Sequence, residues 1–390
     1  MSFSGKSTYS AGVSLPEIAE DVSDLISIVS PYETPLLDHL GDPHKSATST
    51  IHEWLEDTLL PNTDAVDDQT LSNPTTTTTF TVENGDRFQE GDQIQLQGKS
   101  EVMLVTGVSG DDLTVVRQYG GTSATTIVDN DVVLILGNAA LEGSDAPAAR
   151  FTNRVRKQNY SQIFTASVEV SGSQLATTSI GMMDELDYQK QERLRELLRD
   201  LENCVINGVA PASDAQGSST VRRTMRGILG SVASHILQPG TGGIPQGDGE
   251  TENLLTEAML NACLRAVWEQ SSGRIDTIVC GGFQKRKINQ FIASSQRFVE
   301  PTQSFKQLVD VYETDFGMCR VILSRSVPAD KVLLLDSSRI SVMPLAGRSF
   351  HYKPLASTGD SEAGQLIGEY TLEFRNENAH AVLKNLGTAE

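Results

Sequence analysis

The stretch from Met182 to Gly208 constrains this chain more than any other. MMDELDYQKQERLRELLRDLENCVING has no proline and no internal glycine, and strong helix formers (Leu, Glu, Arg, Gln) fill most of it. Met183, Leu186, Leu194, Leu197, Leu198, Leu201 and Val205 recur at three- and four-residue spacing, so on a helix they share one stripe. Glu185, Gln189, Glu192, Arg193, Glu196, Arg199 and Asp200 fill the other side. Asp184, Glu185 and Asp187 suit the positive end of the helix dipole, and Asn207-Gly208 supplies a left-handed stop. The rod is roughly 36 Å long, well beyond the usual three-turn helix. Such a rod with a single apolar stripe predicts a spine across which other elements are laid. A core helix of a globular enzyme carries the same pattern, and the stripe alone does not separate the two.

At 390 residues the chain has material for two or three domains with buried cores. Hydrophobic content of 38% and charged content of 21% speak against global disorder and against a membrane protein. No apolar run approaches the roughly 18 residues of a membrane span. The N-terminal MSFSGKSTYSAGVSLPEIAEDVSD lacks the basic-then-apolar order of a secretory signal. Cys204, Cys263, Cys280 and Cys319 each sit inside an apolar pattern, which predicts reduced core thiols in a protein folding in cytoplasm. No two stand at zinc-ligand spacing. The formal net charge is −20, and it is unevenly spread. Residues 1–150 carry 24 Asp and Glu against 6 Lys and Arg, whereas the remainder carries 27 against 25. Such a chain does not grip nucleic acid by bulk charge; beside DNA it would enclose rather than clasp.

Taken in order, residues 1–15 predict a polar arm, and SGKST at Ser4–Thr8 lacks the leading glycine and strand of a phosphate loop. Ser14 and Pro16 open a helix running to about Val29, and Ser30–Pro43, with three prolines, predicts an irregular connector. His39, Asp42, His44, His52 and Glu53 suggest a metal, but no pair sits at helical ligand spacing, so no metal is expected. Thr48–Leu60 and Arg154–Val170 predict two extended arms. Between them, from about 75 to 138, short β-branched runs alternate and break at Gly-Asp and Asn-Gly signals. That pattern predicts a small inserted β-barrel or sandwich bracketed by polar linkers at Asp64–Asp68 and Glu142–Pro147. No catalytic residue is expected in it; carbohydrate binding is an alternative role. After the long helix comes a Ser/Ala/Gly linker, Pro211–Thr220. Arg222, Arg223 and Arg226 then join Arg150, Arg154, Arg156 and Lys157 as a basic contrast to the acidic first part. The Gly-rich loop His235–Gly249 has neither the strand nor the Lys-Ser/Thr of a phosphate cradle. A helix over Thr251–Gln270, a buried strand Ile275–Cys280, and a Gly281-Gly282 turn into a further helix predict α/β packing. That strand-turn-helix, with Lys285-Arg286-Lys287 beside it, also leaves a ligand or hydrolase reading open. The tail, GEYTLEFRNENAHAVLKNL, predicts a strand returning to an earlier sheet.

In order, EWLEDTLLP (53–61), RVRKQNYSQIFTASVEVSGSQLA (154–176), the helix from Asp184 to Gly208, RTMRGILG (223–230), YETDFG (312–317), RSVPADKVLLLD (325–336) and the tail from Gly368 resemble one family. It is the major capsid protein of tailed bacteriophages, the Hong Kong 97-type fold, in the branch with a domain inserted in the extended loop. The resemblance implies an α+β fold: an N-terminal arm (1–46), an extended loop (47–170) holding the β insert, a peripheral domain (171–224), an axial domain (225–345) and a C-terminal return (346–390). It implies a structural protein of the virion, made in the host cytoplasm and without catalytic turnover or cofactors. Its copies would form pentamers and hexamers of an icosahedral shell enclosing double-stranded DNA, with no sequence-specific binding and no membrane. Portal, scaffold and cement proteins are the further partners such a head can use. Some relatives crosslink through a Lys–Asn bond; no motif singles out Lys99, so no crosslink is expected. Arg150, Arg154, Arg156, Arg222, Arg223 and Arg226 are the candidate inter-subunit contacts, facing acidic residues of neighbouring copies. The alternatives are a tail or decoration subunit, or a hydrolase on the Gly281-Gly282 turn. Encapsulins share the fold but would not be expected to carry the insert.

Overall fold

The computed structural model describes residues 33–41, 45–143, 152, 154–176, 185–248, 253–295, 311–356 and 359–389. The chain divides into a body, residues 1–54 with 156–390, and a unit of residues 55–155. In chain order the body opens with helix α1 (Pro35–Leu40) and strand β1 (Ile51–Glu56). The expected helix from Pro16 to Val29 and the SGKST motif lie outside the described residues. Within the stretch expected to be irregular, α1 is a correction: Pro35 occupies the first helical turn, where a proline's missing N–H costs nothing. Leu36 is then driven into the core, with Leu37 and Leu40 packed partly against it.

The second unit consists of β2 (Thr63–Ala65), β3 (Thr79–Thr81), β4 (Asp92–Leu96), β5 (Val102–Ser109), β6 (Asp112–Val116) and β7 (Val132–Asn138), hydrogen-bonded in the order β2-β7-β4-β5-β6-β3. An antiparallel bridge between Val66 and Val82 joins the two end strands and closes the sheet into a barrel. Phe80, Ile94, Leu96, Met103, Val105, Leu113 and Val133 alternate inward and fill it. The insert therefore begins earlier than its composition suggests. Asp64, read as linker, is a buried strand residue. Its carboxylate accepts from the Asn84 amide at 2.9 Å and from Arg87 Nη1 at 2.8 Å, which satisfies the inward charge. The second bracketing linker is described only as far as Gly143.

The body resumes with β8 (Val155–Tyr160), which pairs with β1, then β9 (Gln162–Ser171), α2 (Gly172–Ala176) and the spine α3 (Glu185–Asn207). There follow α4 (Ile228–Ser231), β10 (Ile236–Leu237), α5 (Glu257–Gln270), β11 (Thr277–Cys280), α6 (Gly282–Ser295), β12 (Val311–Thr314), β13 (Gly317–Leu323), β14 (Val332–Leu335), β15 (Ile340–Pro344), β16 (His351–Pro354), β17 (Ser361–Phe374) and β18 (Ala381–Leu383). α5 starts later than the sequence suggested, because Thr256 caps it by accepting from the Met259 amide.

One sheet runs β10-β18-β14-β11-β13-β12 and separates two cores. Val279, Ile322, Leu333, Leu335 and Val382 face the core that contains Leu197, Leu201, Val205 and Ile206 of the spine. Ile278, Cys280, Val321, Val332, Leu334 and Leu383 face the other, against Met259, Leu260, Cys263 and Leu264 of α5. In the second sheet β17 pairs along its length with β9, ten residues from Ser361↔Ser171 to Tyr370↔Gln162. β15 and β16 take successive stretches of its other edge. The chain's tail thus lies antiparallel to the strand that leaves the arms, next to the spine. Burial raises the thiols of Cys263 and Cys280 to about 12 and that of Cys319 to about 11, which leaves them inert.

Candidate assembly surfaces

The arms are rooted in a buried polar junction. Glu369, on β17 and 3% exposed, accepts from Ser161 Oγ at 2.6 Å and from Arg223 Nη2 at 2.5 Å; Arg348 Nε lies 2.8 Å from its other oxygen. Arg223 Nε also donates to the Ser161 carbonyl at 2.6 Å. One residue before the end of β8, Asn159 donates to the Arg226 and Leu372 carbonyls and accepts from the Arg226 and Tyr160 amides. A buried carboxylate held by two cations and a hydroxyl is expensive to disturb, since removing one partner strands the rest.

The six candidate arginines separate on this geometry. Arg150 lies outside the described residues. Arg223 is corrected: its guanidinium is consumed inside its own chain, so it roots the arms rather than meeting a neighbour. Arg154, Arg222 and Arg226 are exposed, and among the described residues none has a side-chain partner. Arg156 is exposed too and reaches Glu53 only at 3.6 Å. Arg156 and Arg226, with Lys157, Gln158, Asn159, Tyr160 and the loop at 210–215, line an open cleft of about 570 Å³. The barrel is the converse. Its cations Arg87, Lys99 and Arg117 are tied to Asp64, Asp131 and Glu101. Asp67, Glu83, Asp86, Asp111 and Asp112 are left exposed about the strand ends where Val66 bridges Val82. Among the described residues, these barrel acids are therefore displayed and meet no side-chain cation of the barrel.

A second surface, which sequence reasoning missed, is apolar. At the β12 edge of the first sheet Val311, Met318 and Trp268 are each more than half exposed. Trp268 packs on Phe316 with ring centroids 5.8 Å apart and planes tilted by 44°, beside a hollow of about 300 Å³. The local signal is weak: Trp268 stands one turn after Leu264, at the edge of the apolar stripe of α5, so helical spacing alone does not mark it as exposed.

The residues that suggested chemistry have structural employment. His39 Nε2 meets Thr277 Oγ1 at 2.8 Å, and His52 Nε2 meets Glu373 Oε2 at 2.6 Å. Asp42 and His44 lie outside the described residues, among which no three His, Cys, Asp or Glu side chains gather about one point. At the Gly281-Gly282 turn Lys285 is buried and donates to the Val321 carbonyl. His380 is fully buried; its Nδ1 accepts from the Asp336 amide and its Nε2 donates to the Arg375 carbonyl. Both ring nitrogens are spent on backbone, so the ring is no general base. His351 is exposed on β16, and His235 is buried with its pKa lowered by burial. None of the three hydrogen-bonds a nucleophilic side chain among the described residues.

This is the fold of a phage shell protein. The chain is similar to the Cyanophage A-1(L) capsid asymmetric unit, with a TM-score of 0.50 and 12% identity over 95% of this chain and 98% of that one. It is similar in the same degree to a structure from Microbacterium phage Oxtober96, at 0.50 and 13% over 94% and 96%. Identity so low speaks to fold alone, the Hong Kong 97 type. In sequence it is 39% identical over 87 residues to a major capsid protein of Pseudomonas phage PaMx41, covering 22% of this chain and 21% of that protein. It is 27% identical over 140 residues to one of Escherichia phage Phieco32, covering 36% and 38%. The matched stretches thus span about a fifth and under two fifths of those relatives. Residues 3–387 match the family model described as SU10 major capsid protein, and the chain belongs to that family.

Proposed function

We infer that this chain is the tile of a tailed-phage head. Copies associate edge to edge into pentamers and hexamers of an icosahedral shell that encloses double-stranded DNA. It is made in the host cytoplasm, carried in the virion, and works without catalytic turnover. The family match over 3–387 carries this reading. In it, 1–46 serve as an arm, 47–170 as an extended loop bearing the barrel, 171–224 with 346–390 as the peripheral domain and 225–345 as the axial domain. Portal, scaffold and cement proteins are the partners that would complete the head.

Shell contacts can be individually weak, because closure makes many of them act together. Arg156, Arg222 and Arg226 on the body, and separately Arg154, are the basic candidates for such contacts; the acidic end of a neighbouring copy's barrel supplies the other side. Charge pairing of this kind sets register more than net affinity. An acidic shell also leaves enclosed DNA unbound. The test is expression of the full chain and electron microscopy of the product: closed shells or tubes are expected for the wild type. Arg154→Glu with Arg156→Glu, and separately Arg226→Glu, should leave folded chains that assemble poorly. Wild-type particle yield in all of these variants would refute the charge contact, and a wild type that stays monomeric would refute the shell.

A further inference from the structure

Beneath α1 lies a carboxylate that, among the described residues, no cation neutralises. Glu202, on the buried side of the spine, is 2% exposed. Its Oε1 accepts from Ser324 Oγ at 2.7 Å, and its Oε2 from the amides of Leu36 and Leu37 at 3.2 and 3.5 Å. Among the described residues no Lys or Arg pairs with it. α1 is its lid: Leu36 is wholly buried in the same core as Leu201, Val205 and Ile206.

The charged and titratable groups around this junction come from every element packed on it. α1 contributes Asp38, a like charge, and His39. Glu33 precedes α1 and is turned outward to Arg325, which lies 3.7 Å away beyond Ser324. On the sheet, Arg320 faces His39 Nδ1 at 3.3 Å, and Asp276 stands beside Thr277. None of these compensates the Glu202 charge.

We propose that α1 is a detachable strap whose grip on the body is set by the charge on Glu202: firm while the carboxyl is neutral, loosened once it ionises. Lifting α1 returns the carboxylate to water, so its desolvation is a standing incentive to open, which the three donors only partly offset. Burial raises the Glu202 pKa, the bonds from Ser324, Leu37 and Leu36 pull it back, and Asp38 raises it further. A carboxyl held more protonated when covered than when open favours the covered state in acid and opposes it as pH rises above the open-state value. His39 acts with the opposite sign, since burial and then Arg320 hold its ring neutral in the docked state. The inference does not depend on shell formation.

The test is hydrogen exchange on the full chain, wild type against Glu202→Gln, at pH 5 and pH 8, corrected for intrinsic rates. Glutamine copies the neutral acid: its oxygen can accept from Leu36 and Leu37 and its amide can donate to Ser324. His39 is common to both proteins and cancels in the ratio. At pH 8 the amides of 36–41 should exchange roughly fivefold or more slowly in the variant, with the ratio falling toward one at pH 5. A ratio of one or less at pH 8, or one independent of pH, would overturn the proposal. If Glu202→Gln fails to fold by circular dichroism, Ser324→Ala replaces it. Removing that donor should loosen the strap more at pH 8 than at pH 5, and equal loosening at both would overturn the proposal as well.

Discussion

Arg117→Met removes the cation that pins Glu101 inside the barrel. Arg117 Nε and Nη2 grip the two carboxylate oxygens at 2.8 and 2.7 Å, and the side chains are 8% and 1% exposed. The amides of Thr125 and Gln118 add bonds at 2.6 and 3.1 Å, and Arg117 Nη1 reaches the Thr77 carbonyl at 3.0 Å. This one pair ties the start of β5 to the segments following β6 and preceding β3. Stranding a buried charge costs about 3–5 kcal/mol. The two amides still hold the carboxylate, so the low end, about 3 kcal/mol, is expected here. Hydrogen exchange of the β5 and β6 core amides in the full chain should then quicken roughly 100-fold, each decade being about 1.4 kcal/mol. Adding Glu101→Gln to Arg117→Met should restore about 1–2 kcal/mol, because a neutral amide no longer needs the guanidinium. Acid should mimic the lesion. Burial would raise the Glu101 pKa, but the Arg117, Thr125 and Gln118 bonds bring it from 4.5 to about 2, so its contribution is whole above 4.5 and fades as pH falls toward 2. A single variant costing under about 1 kcal/mol, or a double variant less stable than the single, would refute this account of the barrel.

Two further outcomes follow from the body. Burial lowers the His380 pKa from 6.5 to about 4, despite the Arg375 carbonyl bond, so stability present above 6.5 should drain as pH falls through 4. The loss is about 3 kcal/mol, and His380→Gln should flatten that stretch of the pH profile in urea unfolding; an unchanged slope would exclude His380 as its source. Gly368→Ala should cost about 1–3 kcal/mol in thermal unfolding, because the new Cβ would stand 2.4 Å from the Phe350 ring, which packs on Tyr370. Phe350→Leu in that background should recover part of it, and a neutral Gly368→Ala would show that the ring moves aside freely.

The parts legible in the sequence were those whose signal is local. The spine announced itself because Leu186, Leu194, Leu197, Leu201 and Val205 share a stripe, and the barrel because its longer strands, β4 to β7, alternate over five to eight residues. What stayed hidden depends on partners far along the chain. Nothing near Asp64 reveals that Arg87 and Asn84 will satisfy it, so a strand read as a linker. Arg223 looks like its neighbours until Glu369, 146 residues on, folds against it. Glu202 had a faint local cue, since Leu198 and Ile206 stand one turn either side, yet a carboxylate on that side reads as solvated unless the Leu36 and Leu37 amides and Ser324 are known to cover it. α1 was missed because its three-proline surroundings outweighed the helix-compatible position of Pro35.

The distribution of partners also explains why the net charge alone misleads. A chain of −20 could be merely a well-solvated surface. Here the barrel uses Arg87, Lys99 and Arg117 each on a buried or half-buried carboxylate, so none of these three is left for its exposed acids. At the root of the arms the reverse holds: Glu369 takes Arg223 and Arg348, while Arg222 and Arg226, in the same short segment, find no carboxylate among the described residues. Apart from Glu202, folding has paired these buried carboxylates with cations, and it leaves acid in excess on the barrel and arginines in excess at the root of the arms. Two surfaces of opposite sign on one chain can be satisfied head to tail between copies, and head-to-tail contacts are the kind that close into rings. If that is the source of assembly, raising salt should weaken association of the wild type while leaving the Glu101–Arg117 pin intact, because only the exposed charges are screened.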